Sequence, residues 1–331
     1  MKIIVDDKIP FIREALAATG CDVAYLRGSD IGACDVADAD ALIVRTRTRC
    51  DAALLAGSRV SFVATATIGY DHLDTAFLDA AGIRWMNCPG CNSGSVAQYV
   101  ESVLLVLSRY AGLDLGHSVL GVVGCGHVGS KVVGVARRLG MEVLVCDPPL
   151  GHADFVPLDE VARRADVITF HVPLDATTRH MADDRFFSQL VRRPVVINSS
   201  RGEVVDTDAL LRALDRGLVS QAVVDTWEHE PLIDRRLLER AYLATPHIAG
   251  YSADGKANAD NMILEGLCRH FALPLPPPVE PPELPSDFVY SGDALQLYDV
   301  RIDSRSLKCR PDCFEQLRGD YRLRRERPPR R

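Results

Sequence analysis

Short apolar runs alternate with longer amphipathic stretches along most of this chain. The first run, residues 2–5, precedes a helical pattern over 10–18. Three more, at 41–44, 61–65 and 84–87, are separated by stretches of helical spacing. The mostly apolar segment 93–108 predicts a long helix. Six further strand candidates follow, at 118–123, 142–146, 167–171, 194–198, 221–224 and 242–244. Strands interleaved with helices predict parallel sheets covered on both faces. The expected class is therefore α/β, with two doubly wound, Rossmann-like parallel-sheet domains. The rhythm breaks at 273–285, LPLPPPVEPPELP, where seven prolines predict a stiff extended linker. Beyond it, 294–303 has the look of a strand and 313–325 of a short helix, a small α+β domain too short to bury a core alone. The expected division is 1–92 plus about 254–272, then 93–253, the linker 273–285, and 286–331.

Composition narrows the class. A chain of 331 residues, 47% hydrophobic, can bury a large core. A net charge of −7 argues against a general nucleic-acid binder. The opening MKIIVDD lacks the basic and apolar pattern of a secretory signal. The apolar run 100–107 is far below the roughly 20 residues that span a bilayer. A cytoplasmic protein with no membrane partner is expected. Ten cysteines without a framework spacing fit reduced, mostly buried thiols. Cys88-Pro89-Gly90-Cys91 is a single CxxC, and Cys309 and Cys313 have the wrong spacing to complete a metal site, so no metal is expected.

The sharpest local signal is Gly124-Cys125-Gly126-His127-Val128-Gly129. It follows an apolar strand and opens a helical stretch, and the next strand ends in Asp147, 18 residues past Gly129. That context is the dinucleotide fingerprint. Gly124 permits the tight turn, Gly126 lets the backbone approach a pyrophosphate, and Gly129 lets helix and strand pack closely. Free N–H groups at the helix start attract the phosphates. Asp147 suits the ribose hydroxyls of NAD and would repel the 2′-phosphate of NADP, so NAD is the expected cofactor.

Three polar segments end later strands: 198–202, 225–231 and 245–251. In an open α/β sheet, ligands bind beyond the carboxyl ends of the strands. Arg201 can grip a substrate carboxylate with its planar fork. His247 can take a hydroxyl proton near neutral pH. Glu230 can orient that imidazole and stabilise its charged form. Asp225 could hold the nicotinamide carboxamide. Glu228 competes with Glu230 as the histidine's partner, and His229 competes with His247.

With these residues, the chain resembles the D-2-hydroxyacid dehydrogenase family. Its arginine, glutamate and histidine match Arg201, Glu230 and His247 in that order, and its NAD fingerprint matches Gly124–Gly129 and Asp147. Segments KIIVDDKIPF, FVATATIGYDHLD (62–74), PGCN (89–92), CDPP (146–149) and HIAGYSADGKA (247–257) are similar to a branch that oxidises a phosphorylated 2-hydroxy acid. LYDVRIDS (297–304) and FEQLRGDYRLRRE (314–326) resemble that branch's C-terminal dimerisation domain, which implies a homodimer. The resemblance implies substrate contacts at Thr46, Thr67 and Tyr251, and NAD contacts at Gly250 and Asp225. Thr46 stands where relatives commonly carry serine, which keeps the hydroxyl. A phosphate needs cationic donors, and Arg45, with Arg47 beside it, is the expected one. Two other classes stay open: the same chemistry on another acid, such as 3-phosphoglycerate, and a non-catalytic NAD-binding interaction protein. The intact Arg201, Glu230 and His247 argue against the latter. The seven arginines of 318–331 suit a solvated or dimer-facing segment.

Overall fold

The computed structural model describes residues 1–327; residues 328–331, the end of the arginine-rich run, lie outside the described residues. The chain divides into two compact units, Met1–Asn92 with Ser252–Pro285, and Ser93–Tyr251 with Ser286–Arg331.

The first unit carries five strands, β1 (Lys2–Asp6), β2 (Asp22–Leu26), β3 (Ala41–Val44), β4 (Phe62–Thr65) and β5 (Arg84–Met86). They form one parallel sheet in the order β2-β1-β3-β4-β5, a doubly wound arrangement with its switch point between β1 and β3. Successive residues of a strand point to opposite faces. Ile3 and Val5 thus enter one core, shared with Ile263, Leu264 and Leu267 of the helix Ala253–Phe271, while Ile4 enters the other. Strand β2 escapes the hydrophobic pattern because it is an edge strand whose residues stay partly exposed. The proline-rich stretch is pinned to this unit. Asn261 on the helix accepts from the Val279 amide (2.7 Å) and donates to the Val279 carbonyl (3.0 Å).

The second unit has six strands, β6 (Val119–Val123), β7 (Glu142–Cys146), β8 (Val167–Phe170), β9 (Val195–Asn198), β10 (Gln221–Val224) and β11 (Leu243–Ala244). All pair parallel, in the order β11-β10-β9-β8-β6-β7. The chain steps outward from β6 to β7 and returns past β6 to β8, so the switch point falls beside β6. Cores lie on both faces, as a parallel sheet requires. The helix Ser93–Ala111 covers one face through Tyr99, Val103 and Leu107.

The C-terminal segment differs from its expected form. The strand read at 294–303 is instead a 3₁₀ turn, Ala294–Gln296, followed by the helix Val300–Cys309. Asp299 caps that helix by accepting the Arg301 amide (3.0 Å), and Val300, Ser304 and Leu307 recur on one buried face. A shorter helix, Phe314–Gly319, follows. Both join the second unit rather than form a core of their own: Leu307 and Phe314 enter one core of the sheet, Tyr298 and Val300 the other. Among the described residues, no helix is long and apolar enough to cross a membrane.

Candidate active site

The turn after β6 is shaped by two glycines. Gly124 has φ +88°, a left-handed conformation that a side chain disfavours. A Cβ on Gly129 would lie 1.9 Å from the Gly124 carbonyl oxygen, so only glycine lets the helix His127–Arg138 pack this close. At Gly126 the reverse holds, since a Cβ would meet nothing within 4 Å. The space over this helix start is open, and Gly126, His127 and Val128 border it. Asp147, just beyond β7, folds back on the turn and accepts the Cys125 amide at 2.7 Å. An open helix N-terminus with a carboxylate tied beside it fits the pyrophosphate and adenosine ribose of NAD.

The catalytic candidates hang from three neighbouring strands. β9, β10 and β11 run parallel in register, Asn198 beside Val224 and Val224 beside Ala244, so the segments that follow them leave the same edge of the sheet. Arg201 follows β9. Asn198 ties that turn by donating to the Arg201 carbonyl (2.9 Å), and the guanidinium of the half-buried Arg201 donates to the Ser200 carbonyl (2.9 Å). Glu230 follows β10, where its Oε1 accepts the Trp227 amide (2.9 Å). His247 follows β11.

Glu230 and His247 meet. Both carboxylate oxygens lie within hydrogen-bond reach of His247 Nδ1, Oε2 at 2.8 Å and Oε1 at 3.0 Å. Burial pushes the Glu230 carboxyl up, but the His247 hydrogen bond and charge, the Trp227 amide and Arg318 together hold it below the ordinary glutamate range. The competitors are placed elsewhere. Glu228 bonds His180 Nε2 (2.7 Å) and the Thr207 amide (2.9 Å), and His229 is exposed.

Asp225 lies beneath the His247 turn, 1% exposed. Its Oδ1 accepts the Thr245 hydroxyl (2.6 Å) and the Ile248 amide (2.8 Å), and its Oδ2 the Ala249 amide (3.0 Å). Burial raises this carboxyl above its ordinary range. The geometry makes Asp225 first a support of the turn 247–250, with accepting capacity left mainly on Oδ2 for a carboxamide. Gly250 and the half-buried Tyr251 complete that turn.

In the first unit, Thr46 is exposed just past β3. Thr67, past β4, bonds the Thr65 hydroxyl (2.7 Å) and donates to the Gly69 carbonyl (2.8 Å). His72 joins through Thr65 (2.9 Å), a link sequence reasoning missed, and burial lowers its imidazole against the opposing pull of Asp71. Arg45 already has a partner. Its Nε and Nη2 are held by the fully buried Asp6, each at 3.1 Å, so a phosphate would share this arginine with a carboxylate already paired to it. Also unforeseen are two tail arginines near the His247 turn: Arg318, 3.6 Å from Glu230, and Arg324, which donates to the Ile248 carbonyl at 3.0 Å. Their separation from these partners along the chain hides them from any local motif.

Residues 98–249 match the model of the D-isomer specific 2-hydroxyacid dehydrogenase NAD binding domain. The chain is 53% identical to an erythronate-4-phosphate dehydrogenase of Bacteroides fragilis, over 98% of this chain and 97% of that one. Among solved structures it is similar to an NAD+-bound 3-phosphoglycerate dehydrogenase of Entamoeba histolytica, with TM-score 0.71 and 26% identity over 82% of this chain and 95% of that one. It is also similar to a D-lactate dehydrogenase of Aquifex aeolicus in complex with NAD and lactic acid, with TM-score 0.67 and 25% identity over 82% and 96%.

Proposed function

The chain belongs to the D-isomer specific 2-hydroxyacid dehydrogenase family and uses NAD, and we propose that it oxidises 4-phospho-D-erythronate to 2-oxo-3-hydroxy-4-phosphobutanoate. That reaction serves the route to pyridoxal 5′-phosphate, in the cytoplasm. Near-full-length kinship to an erythronate-4-phosphate dehydrogenase supports the choice of substrate. The observation that carries the chemistry is the Glu230–His247 pair, 2.8 Å apart, on strand ends beside that of Arg201.

The roles follow from which atoms are committed. Glu230 engages His247 Nδ1, which leaves Nε2 as the ring nitrogen available to take the proton of the C2 hydroxyl. The carboxylate fixes the tautomer and stabilises the imidazolium that forms. Arg201 binds the substrate carboxylate through paired hydrogen bonds and draws charge toward the C2 oxygen. Gly124, Gly126, His127, Val128 and Gly129 are proposed to hold the pyrophosphate, Asp147 the ribose hydroxyls, and Asp225 and Gly250 the nicotinamide end. When bound, NAD supplies the acceptor for the C2 hydride. Thr46, Thr67 and Tyr251 are proposed to contact substrate. A share of the phosphate falls to Arg45 through the donors that Asp6 leaves over, on Nη1 and the second hydrogen of Nη2; an unchanged substrate KM in Arg45→Ala would remove it from this list. Residues 286–331 are proposed to form the contact of a homodimer.

Initial rates on erythronate 4-phosphate, 3-phosphoglycerate and unphosphorylated 2-hydroxy acids, followed by NADH absorbance, test the assignment. The four-carbon phosphate should give the highest kcat/KM. A higher value on 3-phosphoglycerate would move the substrate to that acid. A flat trace on every acid, with NAD still bound, would indicate an interaction protein on the same fold.

A further inference from the structure

The His247 turn is gripped from two sides. His247 itself has φ +56°, a left-handed conformation that a non-glycine residue holds only where its surroundings impose it. From below, the buried Asp225 accepts the amides of Ile248 and Ala249 (2.8 and 3.0 Å). From the other side, the guanidinium of Arg324 takes the carbonyls of the same two residues, Ile248 at 3.0 Å and Ala249 at 2.5 Å, and that of Tyr251 at 2.9 Å. Arg324 is 7% exposed, and its remaining donors reach the Ser95 carbonyl (3.2 Å) and Gln98 Oε1 (3.0 Å) of the long helix Ser93–Ala111. Its guanidinium lies 4.0 Å over the Tyr298 ring. A surface arginine needs none of this, whereas a planar fork with five donors can bridge a turn and a helix at once.

We propose that Arg324 is a positioning residue for the reaction: by bridging the turn 248–251 to the helix Ser93–Ala111 it fixes where the His247 imidazole stands, so the C-terminal segment is part of the catalytic apparatus of its own chain. This rests on His247 being the proton acceptor. Loosening the turn displaces the base without touching the glycine loop. Gly250 lies in the same turn, so part of the NADH affinity goes with it, but the glycine loop keeps the cofactor bound and the larger cost falls on turnover.

The test compares Arg324→Lys, Arg324→Ala and His247→Asn in the full-length enzyme, with NADH titration to count competent sites and circular dichroism to confirm the fold. In Arg324→Ala, kcat per NADH-binding site, at saturating NADH, should fall about 100-fold, the order expected when a catalytic group is misplaced by roughly 1 Å, while NADH affinity falls by much less than kcat. Methylguanidinium added at non-denaturing concentration should restore part of that kcat in Arg324→Ala and none in His247→Asn. Arg324→Lys keeps the charge but not the fork, and should also lose kcat at saturating NADH by more than it loses NADH affinity. A folded Arg324→Ala or Arg324→Lys with wild-type kcat per site overturns the proposal, as does a folded Arg324→Ala that methylguanidinium does not improve. Should Arg324→Ala fail to fold, Arg324→Lys decides alone. Wild-type kcat in His247→Asn would instead remove the functional assignment on which the proposal rests, and so is told apart from a failure at Arg324.

Discussion

The proposed chemistry concentrates in two side chains, Glu230 and His247, and each can be tested singly. His247→Asn removes the proposed proton acceptor and should lower kcat by about 100- to 10,000-fold, with NADH affinity unchanged in a fluorescence titration. The electrostatics of Glu230 make a separate prediction about acid. Its carboxyl sits below the ordinary glutamate range, so the pair stabilises the fold above the unfolded-state value of about 4.3 and is lost as pH falls through the lower folded value. Arg318, 3.6 Å from Glu230 Oε2, is one of the groups that hold it down. In Arg318→Gln the folded value should rise toward the unfolded one, so acid unfolding followed by fluorescence should begin at a higher pH than in the wild type; an identical acid transition would show that Arg318 does not act on Glu230. At the cofactor turn, Gly129→Ala sets a Cβ 1.9 Å from the Gly124 oxygen and should cost about 1–3 kcal/mol in denaturant unfolding, with loss of NAD binding. Much of this scale was legible early: Arg201, Glu230, His247, the glycine loop and Asp147 are each polar or glycine residues placed where a sheet core would not need them. What stayed open was which acid meets which histidine. Glu228 and Glu230 stand two apart on one loop, and only the fold turns one toward His180 and the other toward His247.

Among the elements, the helix Val300–Cys309 does a job that its sequence conceals. Among the described residues, β11 is the last strand of its sheet and pairs with β10 alone, so its outer edge offers amides and carbonyls to other partners. Ser304 on the helix accepts the Ala244 amide at 3.0 Å, and the Lys308 ammonium donates to the Ala241 carbonyl just before the strand. Ala244 is fully buried and Ser304 is 4% exposed, so no water stands in for the serine. Ser304→Ala should strand that amide and cost about 1–3 kcal/mol, read as a lower urea midpoint; an unchanged midpoint would show that the edge is satisfied another way. The misread strand at 294–303 and the missed β2 have one cause. A short segment with few apolar residues gives no clear period, and its neighbours in space decide. β2 pairs with β1 and becomes an edge strand, whereas Val300, Ser304 and Leu307 find a sheet edge to cover and become one face of a helix.

For the whole molecule, the assembly is the open quantity. If residues 286–331 make a homodimer contact, light scattering should give twice the chain mass of 36.2 kDa across micromolar concentrations, and a mass equal to one chain would remove that role. Both doubly wound sheets could be read from the chain alone, because their strands are runs of apolar residues buried on two faces and punctuated by helices. So could the dinucleotide turn, whose glycines are demanded by backbone geometry within six residues. Those features rest on local propensity and on burial, and both leave a periodic trace in sequence. Three others leave none: the commitment of Arg45 to Asp6, the choice of Glu230 over Glu228, and the reach of Arg324 to a carbonyl 76 residues away. Each is a directional polar contact between residues far apart in the chain, and its partner exists only once the sheets have brought strand ends and tail together.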